Sequence, residues 1–163
     1  MDDRAFARAA EEYAARLYTV AYRLLGNRAD AEDAVQRALL KAFAARAAYA
    51  PRWAVSTWLY RVLGNVCMDE LRRRRTRARA AEALRAGGAG RRRSRVERVD
   101  LERALAAVPR EARLLLALRY VDGLSHRELA AIRGISVNTV KSQLARGKAI
   151  LRARLEGDGD GQD

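Results

Sequence analysis

The chain has 163 residues, with 33 basic and 20 acidic side chains, one His, one Cys and two Pro. That length allows one domain or two very small ones. Cys67 alone cannot form an internal disulfide, and Cys67 with His126 supplies no metal-ligand set, so neither a metal nor another cofactor is expected. Half of the residues are hydrophobic, but 34 of those are Ala, which adds helix propensity more than buried area. The core is therefore expected from Leu, Val, Tyr and Trp. No window approaches eighteen consecutive apolar residues, and the opening MDDRAFARAAEEY is charged where a signal peptide needs an apolar run. A cytoplasmic protein without membrane insertion is expected.

The net charge of +13 is concentrated. Residues 72–98 hold twelve Arg against two Glu, a net +10, while the flanking segments 1–71 and 99–163 are close to balanced. Such a block stays solvated and repels itself, and polyanions are its natural partner.

In chain order, Phe6, Ala10, Tyr13, Leu17, Val20 and Leu24 recur at steps of three and four and predict a first helix, closed by Gly26 as a left-handed cap. Asp30 is the expected N-cap of a second helix, with Asp33 in its first turn and Val35, Leu39, Ala42 and Phe43 following. Pro51 interrupts helix at Ala50, which leaves Tyr49 to Thr57 as a loop. A third helix starts near Ser56, with Leu59, Val62, Val66 and Cys67 inward, and runs out into a basic exit.

Residues 76–99, rich in Arg and with GGAG at Gly87 to Gly90, are expected to form a flexible linker. Asp100 is the expected cap of a short helix, and Pro109 fits the first turn of the next. Ser125 with Glu128 forms a capping-box signature, Gly134 closes that helix, and Ser136 caps a last helix to about Leu155. The end, 157–163, is expected to be disordered. The predicted fold is all-α: two small helical domains, 1–75 and 100–156, joined by a flexible basic linker.

Ser125 to Leu155 has the form of a helix-turn-helix, with a tight turn at Gly134-Ile135-Ser136 and Leu129, Ala130, Ile135, Val140 and Leu144 spaced to pack the two helices together. Asn138, Thr139, Lys141, Ser142 and Arg146 point outward, each able to reach a base edge or a phosphate. No nucleophile-base set or carboxylate pair stands out, so an enzyme is not expected.

Two stretches carry a family resemblance. Leu17 to Phe43 followed by Ser56 to Arg75 resembles region 2 of bacterial sigma factors, and Leu101 to Leu155 resembles their region 4. Both regions in that order, without others between them, resemble the extracytoplasmic-function (ECF) subfamily, over about residues 6–155. The resemblance implies a non-catalytic subunit that gives RNA polymerase its promoter specificity. It implies polymerase docking by Asp30, Glu32, Asp33 and Gln36 on the clamp helices of the largest subunit, with a second contact at the flap. Minus-ten recognition and melting then fall to Tyr49, Arg52, Trp53, Ser56, Thr57, Arg61, Asn65, Arg72 and Arg73, where aromatic faces beside Arg suit unstacked bases. Minus-thirty-five recognition falls to Arg127, Asn138, Thr139, Lys141, Ser142 and Arg146, with Arg146 the candidate for bidentate guanine reading. An anti-sigma factor is the further expected partner. Trp58, within the helical repeat, is expected in the core and Trp53 exposed. Two positions depart from the family pattern: Arg37 stands where an acid is usual, and Ala50 replaces a frequent acid before Pro51. The alternative function is a stand-alone helix-turn-helix regulator that acts without polymerase.

Overall fold

The computed structural model describes residues 1–85 and 99–159, and the described residues contain helices and no strand. Helix α1, Asp3–Leu25, is opened by Asp2, whose side chain accepts from the Ala5 N–H at 2.8 Å, and is closed by Gly26 at φ 76°. A left-handed residue there favours glycine. Helix α2, Arg28–Ala45, starts earlier than the charge pattern implies. Its N-cap is Asn27, which accepts from the Asp30 N–H at 2.9 Å; Asp30 is therefore a first-turn residue rather than the cap. A 3-10 turn at Arg46–Ala48 leads into the loop, and helix α3 spans Val55–Leu84.

Alanine contributes more to the core than composition implied. The inner face of α2 is Ala31, Ala34, Ala38 and Ala42 with Val35, all buried, so small side chains let α2 lie close against α1 and α3. Leu17, Val20 and Leu24 of α1 and Leu59, Leu63 and Val66 of α3 fill the remaining volume.

The basic exit of α3 stays helical through Leu84, past the boundary expected near residue 75. Arg and Ala are good helix formers, and Arg77 reaches back to Glu70 at 3.1 Å. The flexibility expected of the linker falls on residues 86–98, which lie outside the described residues.

The second half comprises α4, Val99–Ala107, α5, Arg110–Asp122, α6, His126–Arg133, and α7, Val137–Gly159. Asp100 thus lies inside α4 instead of capping it, Pro109 is the N-cap of α5, and α7 continues past Leu155. Ser125 and Glu128 form the capping box reciprocally, at 3.1 and 2.7 Å, and Gly134 turns the chain at φ 65°. Ser136 Oγ accepts from the Thr139 N–H at 3.1 Å. Leu129, Ile132, Val140 and Leu144 are buried between α6 and α7, which is the helix-turn-helix.

The two halves share one continuous core. Leu114, Leu115 and Leu118 of α5 join the cluster built by α1 and α3. Polar contacts stitch the seam: the Tyr60 hydroxyl donates to Asp122 at 2.9 Å, the Tyr22 hydroxyl to Glu102 at 2.6 Å, and Arg113 to the Leu24 carbonyl at 3.1 Å. Burial, then the nearby Arg74 charge, lowers the pKa of Arg113, which donates to three further bonds on the Val108 and Ala106 carbonyls. That dense set of acceptors is what makes a half-buried guanidinium tenable.

Candidate nucleic-acid and polymerase interfaces

The acidic start of α2 has two layers. Glu32, Asp33 and Gln36 are exposed on one side of the helix, with Glu32 paired to Arg28 and Asp33 to Arg37, both at 2.8 Å. Exposed i,i+4 pairs of this kind are weak and easily exchanged for a partner's charges. Asp30 is different. Its carboxylate accepts from the Asn27 amide at 3.0 Å and is ion-paired with Arg74, and these two contacts, Asn27 first, hold it below the ordinary carboxylate range. Asp30 therefore orients α2 against α3 more than it offers itself outward. Arg37, in the place of the usual acid, bridges Asp33 and the mostly buried Glu70 at 3.7 Å.

In the loop, Tyr49, Trp53 and Trp58 gather around the N-terminal end of α3. The Tyr49 hydroxyl donates to the Trp53 carbonyl, and its ring tilts on Trp58 at 5.2 Å between centroids. Trp58 is half-buried rather than core, with its edge on Phe6, while Trp53 is exposed and lies 5.6 Å from the Arg61 guanidinium. Arg52 is exposed and Ser56 half-exposed beside them. Thr57 is a correction: at 8% exposure it faces the core one residue before Trp58, so its hydroxyl is not presented to a strand.

Along α3, Arg72 and Arg73 are exposed, Arg72 with a local Asp69 contact at 3.2 Å. Arg61 and Asn65 are engaged by the second half. Arg61 donates to the carbonyls of Ala131 at 2.6 Å and Ile132 at 3.4 Å in the last turn of α6. Asn65 accepts from Arg133 at 3.2 Å, and Arg133 forks onto Glu111 at 2.7 and 3.1 Å.

On α7, Asn138, Thr139, Lys141, Ser142 and Arg146 are all exposed, with Arg127 exposed on α6 nearby. Thr139 hydrogen-bonds with Ser136 at 2.8 Å; Asn138, Lys141, Ser142 and Arg146 make no side-chain bond among the described residues. Gly147 lies where α7 packs on α5: a Cβ there would stand 2.9 Å from Leu116 and 3.2 Å from the Ala112 Cβ, so a larger residue would force those neighbours to shift.

Apart from Thr57, the predicted residues are at least partly exposed on the two faces, and the sequence pattern does not single out Arg74, Arg133, Glu111, Gly64 or Gly147. Arg74 is indistinguishable within the run of four arginines. Gly64 and Gly147 carried a legible signal, because a glycine inside a helical repeat marks close approach of another element. Arg133 carried none, since its partners are distant in the chain.

This is a two-module helical protein with an acidic helix start, an aromatic loop beside a basic helix and a helix-turn-helix, the class of the sigma-70 initiation factors. Residues 9–77 match the model of Sigma-70 region 2, and residues 98–151 that of Sigma-70, region 4. The ECF RNA polymerase sigma factor SigW of Bacillus subtilis is 30% identical over 94% of this chain and 90% of its own. The sigma-E factor of Escherichia coli K12 is 31% identical, covering 78% of this chain and 74% of its own. SigE of Mycolicibacterium smegmatis is 33% identical over 88% of this chain, which spans 59% of that relative's length. Among solved structures, CnrH in complex with the cytosolic domain of CnrY superposes with TM-score 0.73 at 28% identity, over 96% of this chain and 91% of that one. RpoE of Bartonella quintana, in complex with the anti-sigma factor NepR, shares the fold at TM-score 0.76 and 23% identity, over 94% of this chain and 98% of that one. The chain belongs to the ECF family of RNA polymerase sigma factors. These matches favour a promoter-directing factor over a stand-alone helix-turn-helix regulator.

Proposed function

We propose that the chain binds core RNA polymerase and directs initiation by reading two promoter elements with two separate faces, without catalysing a reaction itself. The observation that carries this is the coexistence of regions 2 and 4, in order, with the outer face of α7 left open. Glu32, Asp33 and Gln36 dock on the polymerase clamp helices, with Asp30 and Arg74 fixing the angle of α2. Tyr49, Arg52, Trp53 and Ser56 receive unstacked minus-ten bases, since base stacking on aromatic faces is worth roughly 1–3 kcal/mol per base. Arg61, Asn65, Arg72 and Arg73 follow the displaced strand, chiefly through phosphates. Asn138, Thr139, Lys141, Ser142 and Arg146, with Arg127, enter the major groove at the minus-thirty-five element, while region 4 also meets the polymerase flap.

No helix of the described residues is long and apolar enough to cross a membrane, and the setting proposed is the bacterial cytoplasm. An anti-sigma factor is the proposed regulator, in keeping with the partner of the Bartonella relative. A groove of about 620 Å³ between α1, α4 and α5, floored by Leu105, Leu116 and Val121 and rimmed by Arg16 and Arg23, offers it an apolar seat with a basic edge.

Run-off transcription with purified core polymerase on a genomic promoter library tests the proposal. The expected result is product from a small set of promoters sharing two spaced elements. Absence of product, together with tight duplex binding by the chain alone, would establish the regulator instead.

A further inference from the structure

Arg75, Arg110 and Arg146 lie in three separate stretches of the sequence, and no local pattern links them. Folding brings them to one groove of about 570 Å³, between the basic exit of α3, the turn from α4 to α5 and the middle of α7. None of the three makes an ion pair or a side-chain hydrogen bond among the described residues. Arg113 lines the same groove, but its donors go to backbone carbonyls, so its charge meets no carboxylate there. The acid of the lining, Glu111, is taken by the Arg133 fork at 2.7 and 3.1 Å. Like charges gathered around one space repel each other, and an anion between them removes that cost. Leu71 and Val108 add apolar wall, and the half-buried Gln143 adds an amide that both donates and accepts.

We propose that this groove binds a short phosphate chain, of the kind carried by a nucleoside triphosphate or an inorganic polyphosphate, on Arg75, Arg110 and Arg146. A guanidinium fork matches phosphate oxygens bidentately. A phosphate chain also concentrates several negative charges on neighbouring groups, whereas a peptide spaces its carboxylates along a backbone. The volume suits a small ligand and excludes a duplex. Arg75 comes from the first half of the chain and Arg110 and Arg146 from the second, so both halves build the site. Arg146 is shared with the minus-thirty-five face. Arg75 and Arg110 belong to none of the interfaces proposed above, and a test on them is independent of the promoter reading.

The test is isothermal titration calorimetry of the full chain with sodium tripolyphosphate, ATP, adenosine and hexaglutamate. The buffer is magnesium-free at about 0.15 M ionic strength, where screening suppresses binding to scattered surface charge. One equivalent of tripolyphosphate is expected to bind, and Arg75→Gln and Arg110→Gln are each expected to weaken it roughly tenfold, the loss of one charge-assisted hydrogen-bonding partner. Arg79→Gln removes the same charge from the same helix outside the groove and is expected to leave binding unchanged. Without ligand, the melting temperatures of Arg75→Gln and Arg110→Gln should match the parent, because neither side chain has a partner to lose among the described residues. With tripolyphosphate, the parent's should rise more than theirs. ATP binding more tightly than tripolyphosphate assigns the groove to nucleotides, and equal or weaker binding assigns it to the bare chain; adenosine is expected not to bind. Three results would each overturn the proposal: no binding of tripolyphosphate or ATP, an equal loss in Arg79→Gln, or hexaglutamate binding as tightly as tripolyphosphate.

Discussion

The outward face of α7 and the facing stretch of α3 carry the same kinds of residue, Arg and Asn at helical spacing, yet the fold treats them differently. Among the described residues, Asn138, Lys141, Ser142 and Arg146 make no side-chain bond, and Gly147 leaves room for α7 to lie against Leu116 and Ala112 of α5. Arg61 and Asn65 are tied to Ala131, Ile132 and Arg133 across the seam. Residue type marks a surface as fit for nucleic acid. Availability depends on what the rest of the chain places against it.

That contrast can be broken from either side. The largest effect is expected at Leu114, fully buried against Gly64: Leu114→Ala should cost about 2–5 kcal/mol through lost burial and a cavity, read as a lower denaturation midpoint in urea. On the open side, Gly147→Val should destabilise by about 1–3 kcal/mol, because its added carbons collide with Leu116 and Ala112, and it should impair minus-thirty-five binding with it. Arg146→Ala should leave the melting temperature unchanged and cost about 1–3 kcal/mol at one base pair of the minus-thirty-five element, measured by competition among single-substituted duplexes. A uniform loss across all sequences would make Arg146 a phosphate contact. Ser125→Ala should cost about 1 kcal/mol by removing one half of the capping box that holds α6, read in the same urea titration.

The smallest effects come from titration. The Asp30 carboxyl is lowered from 3.8 by Asn27 and Arg74, so its stabilising contribution is present above the unfolded-state value and is lost as pH falls through the lower native one. The urea midpoint of Asp30→Asn should accordingly differ from the parent at pH 6 and converge with it in strong acid. Burial pushes the Cys67 thiol up to about 12, so iodoacetamide at pH 8 should label it only after unfolding, checked by mass spectrometry.

Much of the candidate site was legible because its signals are local. The capping box at Ser125 and Glu128, the glycine turn at Gly134 and the cap at Ser136 each depend on residues three or four apart, and all three formed as spaced. Asp30 was misplaced as a cap because Asn27, three residues earlier, competes for the same role, and Arg74 draws the Asp30 carboxylate toward α3. Trp58 was expected in the core from its helical phase, but the edge of the bundle at Phe6 and Tyr49 covers only part of the ring. The resemblance implies that Thr57 meets minus-ten DNA, whereas the turn into α3 points it inward.

The balanced halves and the +10 block were evident from composition, and so were the helical repeats and the two modules in order. These follow from properties that act over a few residues: propensity, capping and periodicity. Which Arg pairs with which carbonyl, what packs closely on Gly64 and Gly147, and which of two similar faces is covered were decided by tertiary structure. Those outcomes depend on contacts between residues as much as 89 positions apart, as for Arg113 and Leu24, and no local pattern encodes them.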